Sequence, residues 1–472
     1  MAYLLFTHGL DDMAVAQREQ AFDLAFSCYS SASSVSVYTD LGIPAGMERR
    51  IAHTKSLGLK IDESAVPNQK KSQPMKLSDG QIVAFVTVLV AVAQISISIY
   101  LPSMPALVDV FATEPSVVQL TVTVYMLGAA ISQLIVGPLS DRFGRKPVLM
   151  VGLGIYIVGS AAAMLAPTIE ALIAARLVQS IGAMVGPVIG RAIVRDCFDR
   201  SRAAQVMAWV GLALAISPAL APVIGAGVHQ AVGWRANFGL LMGFGAFIAY
   251  MAWRHLEETN KALQTDAGVR ELAGNYWFLL KSPAFLAYGL VTGFVFGGMF
   301  AFLAEGPFIF INLMGYSPTQ YAWLSAITVA GFAAGTFVTS KFTLKLGIDR
   351  MIAMGSVPVL AAAALLVGLA YGAPISAAAL IGPLTLMMFG MGLIVPNGFA
   401  GAISVHPEIA GTGSAMIGFL QMGLAGVATF IAPRVADGTQ VPMTWVVAGF
   451  ASAAGASFLL RRFEPGTAGS GQ

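Results

Sequence analysis

Gly137-Pro138-Leu139-Ser140-Asp141-Arg142-Phe143-Gly144-Arg145-Lys146 joins two long apolar runs through a short, strongly charged turn. Apolar residues fill about 117–139 before it and about 147–166 after it, and a membrane-spanning helix needs about 20 such residues. The segment therefore reads as the tip of a hairpin of two transmembrane helices. Gly137 and Gly144 allow close helix approach and a tight turn. Asp141 can face the N-terminus of a neighbouring helix or an arginine. Arg142, Arg145 and Lys146 mark this tip as cytoplasmic, because cytoplasmic loops carry the excess of basic residues.

The rest of the chain extends the pattern. Hydrophobic residues make up 57% of the 472 and charged residues 11%, against roughly 25% charged in soluble domains. Such a chain cannot clothe a water-facing surface. Its net charge of +3 has no basic patch behind it, so nucleic-acid binding has no electrostatic footprint. Two cysteines, Cys28 and Cys197, and five scattered histidines give neither a disulfide framework nor metal-ligand spacing. Neither a metal nor an enzymatic activity is expected, since no catalytic constellation is present.

Apolar runs place spans near about 80–107, 117–139, 147–166, 170–194, 203–228 and 236–255, and again near 284–311, 317–342, 350–371, 375–400, 410–433 and 441–461. The expectation is an all-α membrane protein of twelve helices in two six-helix bundles, 76–255 and 284–462, separated by a cytosolic linker, 256–283, and followed by a tail, 463–472. Basic residues recur in alternate loops: Lys70, Lys71 and Lys76 before the first span, Arg195, Arg200 and Arg202 after the fourth, and Lys341, Lys345 and Arg350 after the eighth. Both termini are then cytoplasmic. Residues 1–75 stand apart. They are mixed and Ser-rich and have no signal-peptide architecture. They read as a disordered extension or, preferably, as an overextended gene model whose start is Met75.

Three further stretches carry chemistry. Arg176-Leu177-Val178-Gln179-Ser180-Ile181-Gly182 puts an arginine about two turns inside the fourth span, at a cost of about 3 kcal/mol on insertion scales. Such a residue faces a cavity or a partner. Ser217-Pro218-Ala219-Leu220-Ala221-Pro222-Val223-Ile224-Gly225 sets two prolines and a glycine in the fifth span, where they bend the helix and allow close packing. Phe302-Leu303-Ala304-Glu305-Gly306-Pro307 places an acid well inside the seventh.

The charged tip resembles the G-x-L-A-D-R-x-G-R-K loop of the major facilitator superfamily, with Ser140 in place of Ala. The helix-4 stretch is similar to the family's R-x-x-Q-G-x-G motif, with Ser180 in place of Gly, and the helix-5 stretch to the antiporter motif of drug exporters. Tyr100-Leu101-Pro102-Ser103-Met104-Pro105, Val194-Arg195-Asp196, Gly233-Trp234-Arg235, Gly411-Thr412-Gly413-Ser414-Ala415 and Gly418-Phe419-Leu420-Gln421 resemble the Bcr/CflA branch of drug:proton antiporters. The resemblance covers about residues 78–462. It implies the major facilitator fold, two pseudo-symmetric bundles around a central cavity, and a tip that latches the bundles on the cytosolic side through Gly137, Asp141, Arg142, Gly144, Arg145 and Lys146.

The branch usually has a proton-coupling aspartate four residues before the first proline of the Y-L-P segment, and here that position is Ser98. Helices 1 and 7 are equivalent in the two repeats. Glu305 is therefore expected to couple protons in place of the missing acid, with Arg176 as its neighbouring charge. Polar and aromatic residues inside spans turn inward, which makes Tyr100, Tyr125, Gln133, Gln179, Asn397 and Gln421 candidates for the substrate cavity. The expected function is proton-coupled efflux of lipophilic or amphiphilic small molecules, antibiotics included, across the bacterial cytoplasmic (inner) membrane. A transporter of one specific metabolite and a transporter-like sensor are the alternatives. Protons are the coupling ion and no other cofactor is expected. The partners are the small-molecule substrate and the lipid bilayer. No nucleotide-binding P-loop appears, so ATP drive is not expected, and a monomer suffices.

Overall fold

A computed structural model describes residues 79–198, 200–260, 269–372 and 374–460. The extension 1–75 and the tail 463–472 lie outside the described residues. Among the described residues, twelve helices are long and apolar enough to cross a membrane. The first six are α1 (Gly80–Phe111), α2 (Pro115–Phe143), α3 (Arg145–Leu165), α4 (Ile169–Cys197), α5 (Gln205–Val232) and α6 (Arg235–His255). The second six are α7 (Pro283–Leu313), α8 (Pro318–Leu346), α9 (Ile348–Gly372), α10 (Ala377–Val405), α11 (Pro407–Val435) and α12 (Val441–Phe458). Between α6 and α7 the linker forms a short helix, Val269–Lys281. The protein is a multi-pass integral membrane protein.

Helices dominate because lipid offers no partner to a backbone N–H or C=O, so each span must satisfy its own. Their starts are written locally. Thr168, Ser282, Ser317 and Ser376 each accept a hydrogen bond from the backbone N–H three residues on, and Ser317 with Gln320 forms a reciprocal capping box. The spans α1, α4 and α7 are interrupted along their length. In α1 the regular helix ends at Ser98, and a single 3-10 turn, Leu101–Ser103, leads into Met104–Phe111. Pro102 and Pro105 remove two backbone donors there, which is why the ladder fails. In α4 the break falls at Met184. In α7 the α-helix ends at Pro307 and continues as a π-helical turn, Phe308–Leu313. Glu305 therefore lies on regular helix just before a distortion, as Ser98 does in α1.

The packing of the first six helices recurs in the second six. α1 packs on α5, α2 on α4, and α3 on α4 and α6; correspondingly α7 packs on α11, α8 on α10, and α9 on α10 and α12. The six-helix sets meet through α2 against α11 and α5 against α8, two pairings that the same correspondence exchanges. Thr123 of α2 donates to Thr429 of α11 at 3.1 Å across this junction. At the end opposite the Arg142–Lys146 tip, residues 101–103 pack on α7 and α8, and residues 104–111 on the π-helical turn.

Candidate functional site

The charged tip is a closed network. Arg145 is buried and pairs with Asp141 at 2.6 Å, one turn earlier, and with Asp196 at the end of α4 at 3.1 Å. Its Nη1 also donates to Ser140 at 2.7 Å. Gly144 adopts φ +96°, which side chains resist, and this lets α2 end and α3 begin within one residue. The free N–H groups that open α3 are capped from outside: Arg145 N and Lys146 N donate to the Glu258 carboxylate at 2.8 and 3.1 Å. A carboxylate at a helix N-terminus is favoured by both the orphan donors and the helix dipole. Of the two partners open to Asp141, a helix N-terminus or an arginine, it takes the arginine, Arg145, and Glu258 holds the helix N-terminus. The ion pairs of the tip reach α4 and its hydrogen bonds reach the start of the linker, with no ion pair to the second six helices among the described residues. Arg142 lies over the Phe143 ring, and Lys146 Nζ donates to the Trp253 carbonyl at 3.2 Å. Gly137 is not a point of close approach, since a Cβ there would only touch Val188. On the same side, Tyr276 of the linker helix donates to the Leu134 carbonyl of α2 at 2.9 Å. Burial pushes the Tyr276 hydroxyl up to about 12, so it remains a donor at neutral pH.

Arg176 is fully buried in α4. Its guanidinium lies 4.4 Å from the ring centre of Tyr100, 4.2 Å from that of Tyr125 and 5.8 Å from that of Phe238. Nη1 donates to the Ser96 carbonyl of α1 at 3.1 Å and to Gln179 one turn on. Gln179 in turn donates to Ser160 of α3 at 2.8 Å, and Ser96 shares a 2.7 Å hydrogen bond with Tyr156. Tyr125 donates to the Ala93 carbonyl at 3.2 Å, and Tyr100 bonds Thr121 of α2 at 2.7 Å. Two expectations meet a structural answer here. Tyr100, Tyr125 and Gln179, expected to line a cavity, converge on the arginine. The arginine, expected beside Glu305, forms an ion pair with no acid among the described residues, because its Nη1 and ring contacts hold it against α1 and α3.

Glu305 is buried, at 6% exposure, near α2 of the first six helices. The side chain of Gln119, in α2, lies near its carboxyl, while Oε1 has no hydrogen-bond partner among the described residues. Tyr321 of α8 reaches the adjacent Gly306. Glu305 stands eight residues before the end of α7 and Arg176 seven after the start of α4, so each is about 10–12 Å in from the same end. Gln119 and Thr121, two residues apart, bring α2 into contact with both sites. Neither was evident from the sequence, because a glutamine and a threonine near a span's start also occur as interface residues.

The remaining expected residues have other surroundings. Gln133 lies against Gly418 of α11 and donates to Met184 Sδ at 3.7 Å. Gln421, one turn beyond Gly418, is buried with its amide nitrogen unpartnered. Asn397 accepts from Thr343 of α8 at 3.1 Å and donates to the Leu393 carbonyl at 2.8 Å, a bond within the second six helices. Pro218 and Pro222 lie inside the helix Arg200–Val232, and Gly225 is where that helix crosses the backbone of α1: a Cβ there would overlap the Ile99 carbonyl oxygen. Its own carbonyl accepts from Asn237 of α6 at 3.3 Å.

A family model described as Major Facilitator Superfamily matches residues 86–433. A chloramphenicol resistance protein of Pseudomonas aeruginosa is 31% identical over 330 residues, 69% of this chain and 77% of that one. A bicyclomycin resistance protein homolog of Haemophilus influenzae is 26% identical over 362 residues, 74% of this chain and 88% of that one. Among solved structures, the xylose transporter XylE from E. coli superposes with a TM-score of 0.64 at 12% identity, covering 83% of this chain and 99% of that one. The chain belongs to the major facilitator superfamily and, within it, resembles the Bcr/CflA branch.

Proposed function

We propose that this transporter exports lipophilic or amphiphilic small molecules across the bacterial cytoplasmic membrane in exchange for protons, with Glu305 as the proton carrier. The observation that carries this reading is the position of Glu305, buried within a span and facing Gln119 of the other six-helix set. An ionisable group inside a membrane is expensive and is kept where it works. Placed at the junction of the two sets, its carboxyl changes surroundings whenever they separate, so protonation and opening are linked. Alternating access is then a rocking of the sets about the α2–α11 and α5–α8 contacts.

The basic residues of the Arg142–Lys146 tip, of Arg195 and Arg202, and of Lys341 and Lys345 favour a cytoplasmic position for that end and for both termini. Chloramphenicol and bicyclomycin resistance belong to the relatives; they support antibiotics as substrates here. The test is a susceptibility panel in a host stripped of its own exporters. The protein is expected to raise tolerance to several unrelated lipophilic compounds, and Glu305→Gln to return it to the host baseline. Equal protection by both forms contradicts the role of Glu305, and no protection by either contradicts drug export.

A further inference from the structure

Arg176 combines three properties. It is fully buried, it has no acidic partner among the described residues, and two of its donors, Nε and Nη2, have no hydrogen-bond acceptor. Its third donor group, Nη1, is spent on Ser96 and Gln179. Nε–H and Nη2–H point the same way along one edge of the guanidinium plane, and that edge is the fork that takes both oxygens of a carboxylate. A buried cation without a counter-charge is costly, and the neighbouring rings of Tyr100 and Tyr125 offset only part of this through cation–π attraction. The hydroxyl of Ser98, one turn of helix before Pro102, is buried and also unpartnered. Serine brings no charge to α1, whose only acid is Asp109 at its exposed far end.

A second arginine lies farther along the same helix. Arg191 is half-buried, and it stands fifteen residues beyond Arg176 toward the Arg142–Lys146 end. It too forms an ion pair with no acid among the described residues. α4 thus offers two positive groups about 22 Å apart along its axis, one near each end of the membrane.

From this geometry we infer that the transported molecule carries a carboxylate, received edge-on by Nε and Nη2 of Arg176, with an aromatic or apolar body against Tyr100, Tyr125 and Phe238. Arg191 attracts the anion at the entrance. This deepens the proposed function and rests on it, since it names the substrate's head group. It also gives the two charged groups separate tasks: Glu305 carries the proton and Arg176 holds the substrate's anion.

The test uses the purified full-length protein in detergent and three probes with one hydrocarbon body: naphthoate, its methyl ester, and naphthylmethylammonium. Affinity is read from the ligand-induced rise in unfolding temperature. Naphthoate is expected to bind about tenfold or more tightly than either other probe, a preference that Arg176→Gln removes and Arg176→Lys, which keeps the charge without the fork, reduces. Equal or tighter binding of the ester or the ammonium by the unaltered protein overturns the inference. So does an undiminished naphthoate preference in Arg176→Gln. If that variant does not fold, the ranking of the three probes by the unaltered protein still decides. The exporter reading has its own readout: proton release driven by neutral drugs, without carboxylate preference, leaves export standing and removes the anion site.

Discussion

The Arg176 guanidinium lies 4.2 Å from the centre of the Tyr125 ring, and both residues are tied to one stretch of α1: Arg176 through the Ser96 carbonyl, Tyr125 through the carbonyl of Ala93. The ring and the cation are thus held together by a third helix rather than by each other alone. Tyr125→Phe keeps the ring and loses one hydrogen bond, whereas Tyr125→Leu loses the aromatic face. A desolvated cation–π contact is worth about 2 kcal/mol and an interhelical hydrogen bond in a membrane about 0.6 kcal/mol. Thermal unfolding in detergent is expected to rank the unaltered protein above Tyr125→Phe and Tyr125→Leu well below both. Equal losses in the two variants would show that the ring face contributes nothing.

Glu258 caps α3 from 113 residues away in sequence. Replacing it with Ala removes the acceptor for the two backbone donors of α3, and for that of Asn260, and is expected to cost about 1–2 kcal/mol. Glu258→Gln retains an acceptor and should cost less. Hydrogen exchange at the first turn of α3 reads this directly, and unchanged protection in Glu258→Ala would contradict the cap.

Gly225 and Gly227 are two residues apart on α5 and differ in what surrounds them. A Cβ at Gly225 overlaps the Ile99 carbonyl, while one at Gly227 meets nothing within 4 Å. Gly225→Ala should lower the unfolding temperature and the yield of folded protein, and Gly227→Ala should leave both near their starting values. Equal tolerance of the two would mean that α5 and α1 do not approach as described.

Thr123 and Thr429 join the six-helix sets. Changing either to Val removes the bond without changing the volume greatly. A double-mutant cycle is expected to return a coupling of about 0.6 kcal/mol. Loss of the bond should also favour separation of α2 from α11, seen as faster labelling of a cysteine placed at that junction. Additive single effects and unchanged labelling would exclude the bond as a tie.

The helices were legible in the sequence because the membrane imposes one rule, about 20 apolar residues per span with every backbone group satisfied internally. The charged tip was legible because its glycine and its Asp141–Arg145 pair lie within ten residues, whereas Asp196 joins it from the end of α4. The Arg176 surroundings were half legible: Tyr100, Tyr125 and Gln179 announced themselves as polar or aromatic residues inside spans, but nothing local showed that they converge. Ser96, Tyr156 and Ser160 complete that network from other helices. The expected neighbourhood of Glu305 and Arg176 failed for the same reason. Lipid-facing and core-facing positions are both apolar here, so periodicity does not tell which side of a span faces its partner. Gln119, at Glu305, and Glu258, at the start of α3, depend on helix packing and on the path of the linker, which spacing along the chain does not encode.

The role of Glu305 is the centre of the account, and substrate-driven proton release from everted vesicles measures it. Vesicles are acidified inside by respiration and followed with a pH-sensitive dye while a transported compound is added. The unaltered protein is predicted to release protons in proportion to added compound, and Glu305→Gln to release none while still binding that compound. Proton release undiminished in Glu305→Gln would contradict the account.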